Sequence, residues 1–144
     1  MSQKRSQARR HAVQAIYQWQ MAGQDVGEIA NQFLEEQDMG GFEVPYFRDL
    51  LQGVPQHLAE LDELLKPALD RAIESVDPVE RAVLRLGAYE LCFKPEVPYR
   101  VVINEAVELA KVFGAEKGHR YVNGVLDQVA KKVRAVEIEA KQRR

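Results

Sequence analysis

Apolar residues recur three or four positions apart along almost the whole chain, which is the spacing that places them on one face of an α-helix. The first stripe consists of Ala12, Val13, Ile16 and Trp19, and the second of Val26, Ile29, Ala30, Phe33 and Leu34. No segment alternates apolar and polar residues for long enough to indicate a β-strand. The pattern therefore predicts an all-α fold.

A third apolar stripe continues through a proline. It consists of Phe47, Leu50, Leu51, Val54, Leu58, Leu61, Leu64 and Leu65. Because the ring of Pro55 removes one backbone hydrogen bond, we expect a kink in this helix. Pro67 then begins a short further piece that ends near Val76.

The segment DPVE at residues 77–80 has the residues that begin a helix. Asp77 is a good N-cap, Pro78 suits the first helical position, and Glu80 stands where a capping box has its acid. The following sequence, VERAVLRLGAYELCF, is apolar on nearly all sides, so we expect a central, mostly buried helix shared by two helical sub-bundles. Gly87 is expected to let a neighbouring helix approach closely.

Two further helices are predicted before the C-terminus. Pro95 and Pro98 end the central helix, and the stripe that follows ends at Gly114, a candidate C-terminal cap. The last stripe consists of Val122, Val125, Leu126, Val129, Val133 and Val136. The sequence thus predicts about seven helices in one compact domain over residues 1–136, a break at Gly40–Gly41, and a charged, disordered tail over residues 137–144.

Charge is distributed unevenly along the 144 residues. Residues 1–24 carry +4, residues 25–99 carry −10 and residues 100–144 carry +4, within a net charge of −2. The two basic ends form a nucleic-acid-binding surface if they meet in the fold, and solvated tails if they do not. With a single cysteine, Cys92, no export signal and no membrane-length apolar run, the expected location is the cytoplasm.

We find no sequence motif that predicts catalysis, a cofactor or a metal site. A phosphate-binding glycine loop, a CxxC pair and an HExxH motif are all absent from the sequence. His11, His57 and His119 are too widely spaced to indicate a metal site by themselves. The sequence therefore favours a binding protein over an enzyme.

Cationic and aromatic residues are paired at both basic ends. Arg10 and Tyr17 fall on nearly the same side of the first predicted helix, and Lys117 stands one turn before Tyr121. Single-stranded nucleic acid is bound by such pairs, because cations neutralise phosphates and aromatic rings stack on bases. The alternative is that both tyrosines are half-buried packing residues.

A second polar group lies at the start of the central helix. Glu80, Arg81 and Arg85 form an expected exposed strip there. The strip is either a helix start with solvated side chains or a docking surface for a protein partner, since arginine is enriched in interfaces.

Several longer segments resemble the NusB family of bacterial transcription antitermination proteins. They are QARRHAVQAIYQWQ, YFRDLLQGV, VERAVLRLGAYEL and VPYRVVINEAVELAKVFGAEKGHRYVNGVLD, and the similarity covers roughly residues 5–130. The resemblance implies an all-helical RNA-binding protein that pairs with ribosomal protein NusE and recognises boxA RNA in ribosomal-RNA leader transcripts. It also implies a place in the transcription elongation complex with other Nus factors. A free-standing helical protein-interaction module without a direct RNA role is the alternative.

The resemblance also assigns roles to individual positions. Residues matching the RNA-contacting surface are Lys4, Arg5, Arg9, Arg10, Tyr17 and Tyr121, to which we add Lys117. Glu80 matches a position associated with NusE contact, and Arg81 and Arg85 extend that expected surface. Asn104–Glu105 and Asn123–Gly124 match the family signature, where we expect them to fix helix packing through buried hydrogen bonds.

Overall fold

The computed structural model describes residues 3–36 and 42–142, and every regular element within these ranges is helical. The α-helices are α1 (Gln3–Ala22), α2 (Val26–Glu36), α3 (Val44–Gln56), α4 (Leu58–Leu65), α5 (Pro78–Phe93), α6 (Tyr99–Phe113), α7 (Gly118–Val133) and α8 (Ala135–Gln142). Two short 3₁₀ turns cover Lys66–Ala68 and Ile73–Ser75. The all-α prediction is confirmed, while the predicted break at Gly40–Gly41 lies outside the described residues.

Helix α5 is the centre of the molecule. The Asp77 carboxylate accepts hydrogen bonds from the backbone N–H groups of Val79 and Glu80, which caps the helix as predicted. Eleven of the 16 residues of α5 are buried, and the helix packs against α1, α3, α4, α6 and α7. Its one glycine, Gly87, has no room for a side chain, because an added Cβ would lie 2.7 Å from Leu126 Cδ1.

The directions of the neighbouring helices follow from contacts at the two ends of α5. Helix α1 runs antiparallel to α5, since Arg9 bonds to Glu90 near the end of α5 and Gln20 donates to the Pro78 carbonyl at its start. Helix α7 runs parallel to α5. Its first residue, Gly118, lies beside Glu80, and Arg134, directly after its end, donates to the carbonyl of Leu91.

The helix through Pro55 is interrupted rather than only kinked. Helix α3 ends at Gln56, and His57 separates it from α4 with φ −110° and ψ 22°, outside the helical region. Pro55 lies inside α3, and the His57 N–H still donates to the Gly53 carbonyl at 3.0 Å, so the helix continues past the proline and ends at the backbone turn of His57.

Within the described residues, no helix is both long and apolar enough to cross a membrane.

The C-terminal segment also differs from its prediction. Residues 135–142 form helix α8, where the sequence predicts a disordered tail from residue 137. Glu137 connects this helix to the fold, because its carboxylate accepts hydrogen bonds from Arg134 Nη1 at 2.6 Å and from the backbone N–H of Tyr99 at 2.9 Å. No residue of α8 is fully buried, and the partly buried Ile138 adds an apolar contact with the core to these polar ones.

Candidate RNA-binding and partner-binding surfaces

The first turns of α1 present cations to solvent. Lys4 and Arg10 are exposed. Arg5 is half-buried, with its guanidinium 3.0 Å from the Glu43 carboxylate and 4.2 Å from the centre of the Tyr46 ring. This end of α1 therefore offers two solvent-facing cations and a third that is partly neutralised.

Arg9 does not belong to this exposed surface. Its side chain is only 1% exposed, and its guanidinium lies 2.8 and 2.9 Å from the two oxygens of Glu90, which is itself buried. Burial lowers the pKa of Arg9, but the hydrogen bonds and charge of Glu90 outweigh this effect and raise the pKa overall. The Tyr46 hydroxyl also donates a hydrogen bond to Glu90, at 2.5 Å. The expected RNA contact by Arg9 is therefore corrected: this residue fixes α1 to α5.

Glu105 of α6 holds the same end of α1 from another side. It accepts hydrogen bonds from Ser6 Oγ at 2.5 Å and from Arg9 Nη1 at 3.0 Å. Sequence reasoning expected Glu105 to fix helix packing, and these contacts do so. The basic end of α1 is thus bonded to both α5 and α6 before any ligand arrives.

An apolar groove opens near the start of α5. It has a volume of about 470 Å³, and its lining includes Tyr17 and Met21 of α1, Phe33 of α2, Val79 of α5 and Phe113 of α6. Tyr17 is 39% exposed and Met21 56%, which is unusual for large apolar side chains in this protein. The sequence did not predict this groove, because its lining comes from four separate helices.

Glu80, Arg81 and Arg85 do not form the exposed strip that the sequence predicted. Glu80 is 8% exposed and Arg85 is 9% exposed. Arg85 makes a two-pronged bond to Asp62 at 2.9 and 3.0 Å, and Arg81 donates to the carbonyl of Glu74. The two arginines therefore join α5 to neighbouring segments, which is why they are withdrawn from solvent.

Glu80 lies directly beneath the start of α7. A Cβ on Gly118 would lie 2.3 Å from Glu80 Oε2, so the carboxylate fits only because residue 118 is glycine. Burial, assisted by the charge of Asp77, raises the pKa of Glu80.

Lys117 and Tyr121 are one turn apart at the start of α7, as predicted. Lys117 is exposed, and Tyr121 is half-buried. The Tyr121 hydroxyl accepts a hydrogen bond from the backbone N–H of Asp70 at 3.3 Å, and the Arg71 guanidinium lies 5.1 Å from the centre of the ring. Tyr121 therefore packs against a loop, as the packing alternative expected, and its stacking on a base stays a prediction.

Three residues of the signature are placed differently from their prediction. Asn104, Asn123 and Gly124 are exposed, although buried hydrogen bonds were expected for them. Helical spacing explains this, because Val122, Val125 and Leu126 occupy the buried side of α7 and direct Asn123 and Gly124 outward. The exposed residues are thus available to a ligand.

The candidate residues fall at two ends of α5. Lys4, Arg5 and Arg10 lie at the end where Glu90 stands, while Tyr17, Glu80 and Lys117 lie at the other. Ten residues separate Glu80 from Glu90, which corresponds to about 15 Å along a helix axis. Within the described residues, no group of three or more His, Cys, Asp or Glu side chains is placed to hold a metal ion.

Comparison with known proteins points to one family. The sequence model of the NusB family matches residues 6–131. The transcription antitermination protein NusB of Nitrosococcus oceani is 60% identical over 141 residues, which cover 98% of this chain and 95% of that protein. The protein of the same name from Shewanella amazonensis is 57% identical over 126 residues, covering 88% and 94% of the two chains.

Solved structures agree with the sequence comparison. The structure of T. maritima NusB is similar with a TM-score of 0.79 at 30% identity, covering 91% of this chain and 93% of that one. A crystal structure of antitermination factors NusB and NusE in complex with double-stranded RNA contains a chain with a TM-score of 0.82 at 30% identity. The matched region covers 92% of this chain and 99% of that NusB chain.

Proposed function

The chain belongs to the NusB family, and we propose on this premise that it is a transcription antitermination factor that binds boxA RNA together with NusE. The boxA element is that of ribosomal-RNA leader transcripts, and the complex includes the elongating polymerase and other Nus factors. In this proposal the protein acts in the cytoplasm as a binding protein, without a catalytic step or a cofactor. The helical domain over residues 1–136 carries the binding surfaces. The observation that carries it is the pairing of exposed cations with a separate apolar groove on one compact fold.

The proposed RNA surface begins at the free cations of α1. Lys4 and Arg10 face solvent and are positioned to neutralise phosphates, and Arg5 joins them if its bond to Glu43 opens. Arg9 contributes indirectly, because its bonds to Glu90 and Glu105 hold this turn of α1 in place. Lys117 and the free edge of Tyr121 extend the proposed surface at the other end of α5.

The proposed NusE surface is the apolar groove. Exposed apolar patches on soluble proteins commonly mark interaction sites, and aromatic residues and methionine are enriched in such interfaces. Tyr17 and Met21 meet this description, and Tyr17 also remains a proposed RNA contact, because its exposed ring is free to stack on a base at the edge of the groove. Glu80 supports this end of the molecule from beneath α7, next to Val79 of the groove.

Binding of boxA RNA with and without purified NusE tests this proposal. We expect weak binding by the isolated protein and tighter binding when NusE is present, because NusE adds its own contacts to the same RNA. An RNA of the same length and composition in scrambled order is the control. Equal affinity for both RNAs in the presence of NusE would contradict the proposal.

The apolar groove also supports a second candidate, a protein-interaction module without a direct RNA role. This alternative predicts that the chain binds NusE and that NusE alone accounts for all binding of boxA RNA. Crosslinking within the assembled complex separates the two functions. RNA crosslinks on α1 or α7 favour the first, and crosslinks confined to NusE favour the second.

A further inference from the structure

Gly124 is a helical glycine that no contact within the protein explains. It lies inside α7 on the solvent side, and an added Cβ would meet no atom within 4 Å. Its φ angle is not positive, since Gly23 is the one glycine with positive φ in the described part of the chain. Glycine is the poorest helix former after proline, so this position weakens α7 without an evident structural benefit.

The buried helical glycines, by contrast, are each explained by a neighbouring side chain. A Cβ on Gly53 would lie 2.2 Å from the Tyr89 ring, and one on Gly87 would lie 2.7 Å from Leu126. A Cβ on Gly118 would meet the Glu80 carboxylate. Each of these three glycines lets another side chain of the protein approach the helix closely. Gly124 leaves the same space open to a molecule outside the protein.

Cations surround Gly124 on the outer face of α7. At 3.6 residues per turn, Lys117, Arg120 and Lys131 lie within about 40° of Gly124 around the helix axis. All three are exposed. Lys131 is 3.6 Å from Asp127, whereas neither Lys117 nor Arg120 has a side-chain ion pair within the described part of the chain. We call Lys117, Arg120, Gly124 and Lys131 the α7 ridge.

We propose that the sugar–phosphate backbone of bound RNA passes closest to the protein at Gly124, with Arg120 and Lys117 neutralising the phosphates beside it. The absence of a side chain lets the RNA backbone approach the helix backbone directly. This inference rests on the proposed function and adds a contact point to it. Asn123, exposed beside Gly124, is placed to donate a hydrogen bond to the same ligand.

The chemistry of the ridge favours RNA over a protein partner. The ridge carries three cations, of which only Lys131 has an acid, Asp127, beside it, within a chain whose net charge is −2. Of the large apolar side chains that are exposed, Tyr17 and Met21 line the groove near α1, while Val112 and Val136 belong to α6 and α8, so none lies on the α7 ridge. A polyanion is therefore the ligand that this face complements.

The substitution Gly124→Ala tests the inference, because stability and binding should change in opposite directions. Alanine is the better helix former, so we expect the melting temperature to rise by about 3 °C. If RNA packs against the helix here, the added methyl group should lower the affinity for boxA RNA in the presence of NusE roughly tenfold. Gln52→Ala, at an exposed position of α3 outside the proposed RNA surface, is the control and should leave the affinity unchanged.

Arg120→Ala adds a second measurement, the salt dependence of RNA binding, which a change in packing alone would not alter. Its loss should reduce the slope of log K against log salt by roughly 0.7 if it contacts a phosphate of a single strand. Unchanged RNA affinity of Gly124→Ala, with wild-type protein binding normally, would overturn this inference and leave the proposed function standing. A loss of NusE affinity with RNA binding by the isolated protein unchanged would also overturn it, in favour of a protein contact. Failure of the wild-type protein to bind boxA RNA would overturn both proposals.

Discussion

At the level of single residues, the buried ion pair between Arg9 and Glu90 determines how the start of α1 is held. Both side chains are withdrawn from water, and each satisfies the other with two-pronged geometry. A buried charge that loses its partner is strongly destabilising, whereas replacement of both partners by neutral groups is often tolerated. Losing one partner of the Arg9–Glu90 pair is therefore expected to cost more folding free energy than replacing both.

Arg9→Met is expected to lower the free energy of unfolding by about 3–5 kcal/mol, because it leaves the Glu90 carboxylate buried without its cation. Urea denaturation measures this loss. Arg10→Met, at the exposed neighbouring position, should change stability by less than about 0.5 kcal/mol. Combining Arg9→Met with Glu90→Gln should restore part of the stability, since no unpaired charge remains. Equal effects at positions 9 and 10 would contradict the burial of Arg9.

Arg10 is the better probe of RNA contact. Arg10→Ala should weaken binding of boxA RNA and make the plot of log K against log salt shallower by roughly 0.7, because one phosphate contact to a single strand is lost. Lys66→Ala, which removes an exposed cation from a 3₁₀ turn outside the proposed surface, is the control. An identical salt slope for wild type and Arg10→Ala would exclude Arg10 from the RNA surface.

The sequence predicts charge at residues 4–10 but does not distinguish exposed from buried cations. Arg9 and Arg10 are adjacent and chemically identical, and their different roles depend on Glu90, which is 81 positions away from Arg9. One hint was present, because Arg9 follows Ala8 and precedes Ala12, Val13 and Ile16 at helical spacing. That spacing places Arg9 inside the apolar stripe, but the partner carboxylate is visible only in the fold.

At the level of elements, the contact between α5 and α7 depends on Gly87. The Leu126 side chain occupies the space that a Cβ on residue 87 would take. The two parallel helices can therefore pack closely, and this places the start of α7 over Glu80. The sequence predicted the close approach at Gly87, although it did not identify Leu126 as the neighbour.

Gly87→Ala should destabilise the protein by about 1–3 kcal/mol, because the methyl group must displace Leu126 from a packed interface. Thermal unfolding measures the change. The same substitution at Gly124, on the facing helix but in open space, should act in the opposite direction. Stabilisation by both substitutions would show that the contact with Leu126 is loose.

Helix starts and buried stripes were predictable because they depend on neighbouring residues in the sequence. Asp77 caps α5 as expected, and Gly114 ends α6 with its N–H donating to the Ala110 carbonyl at 2.8 Å. The break at His57 and helix α8 were not predicted. They depend on the geometry after Pro55 and on the contact between Glu137 and Tyr99, which are set by the folded chain.

At the level of the whole molecule, α5 separates two kinds of surface. Exposed cations of α1 lie at the end of α5 near Glu90, and the apolar groove opens at the end near Val79. The basic ends of the sequence therefore do not simply merge into one patch. Under the proposed function, the α1 cations and the apolar groove can therefore be altered separately, whereas Lys117 lies at the same end of α5 as the groove.

Met21→Glu tests this separation. Met21 is 56% exposed, so the change should leave stability nearly unaltered, while a charge in the apolar groove should lower the affinity for NusE by about tenfold or more. Val136→Glu is the matched control, because Val136 is 82% exposed and does not line the groove. Calorimetric titration with NusE measures the partner affinity, and boxA binding by each isolated variant measures the RNA surface.

We expect RNA binding to remain unchanged in both variants, since Met21 lies at the opposite end of α1 from Lys4 and Arg10. Equal NusE affinity for both variants would remove the groove from the partner surface, and a loss of RNA binding in Met21→Glu alone would mean that the two surfaces are one.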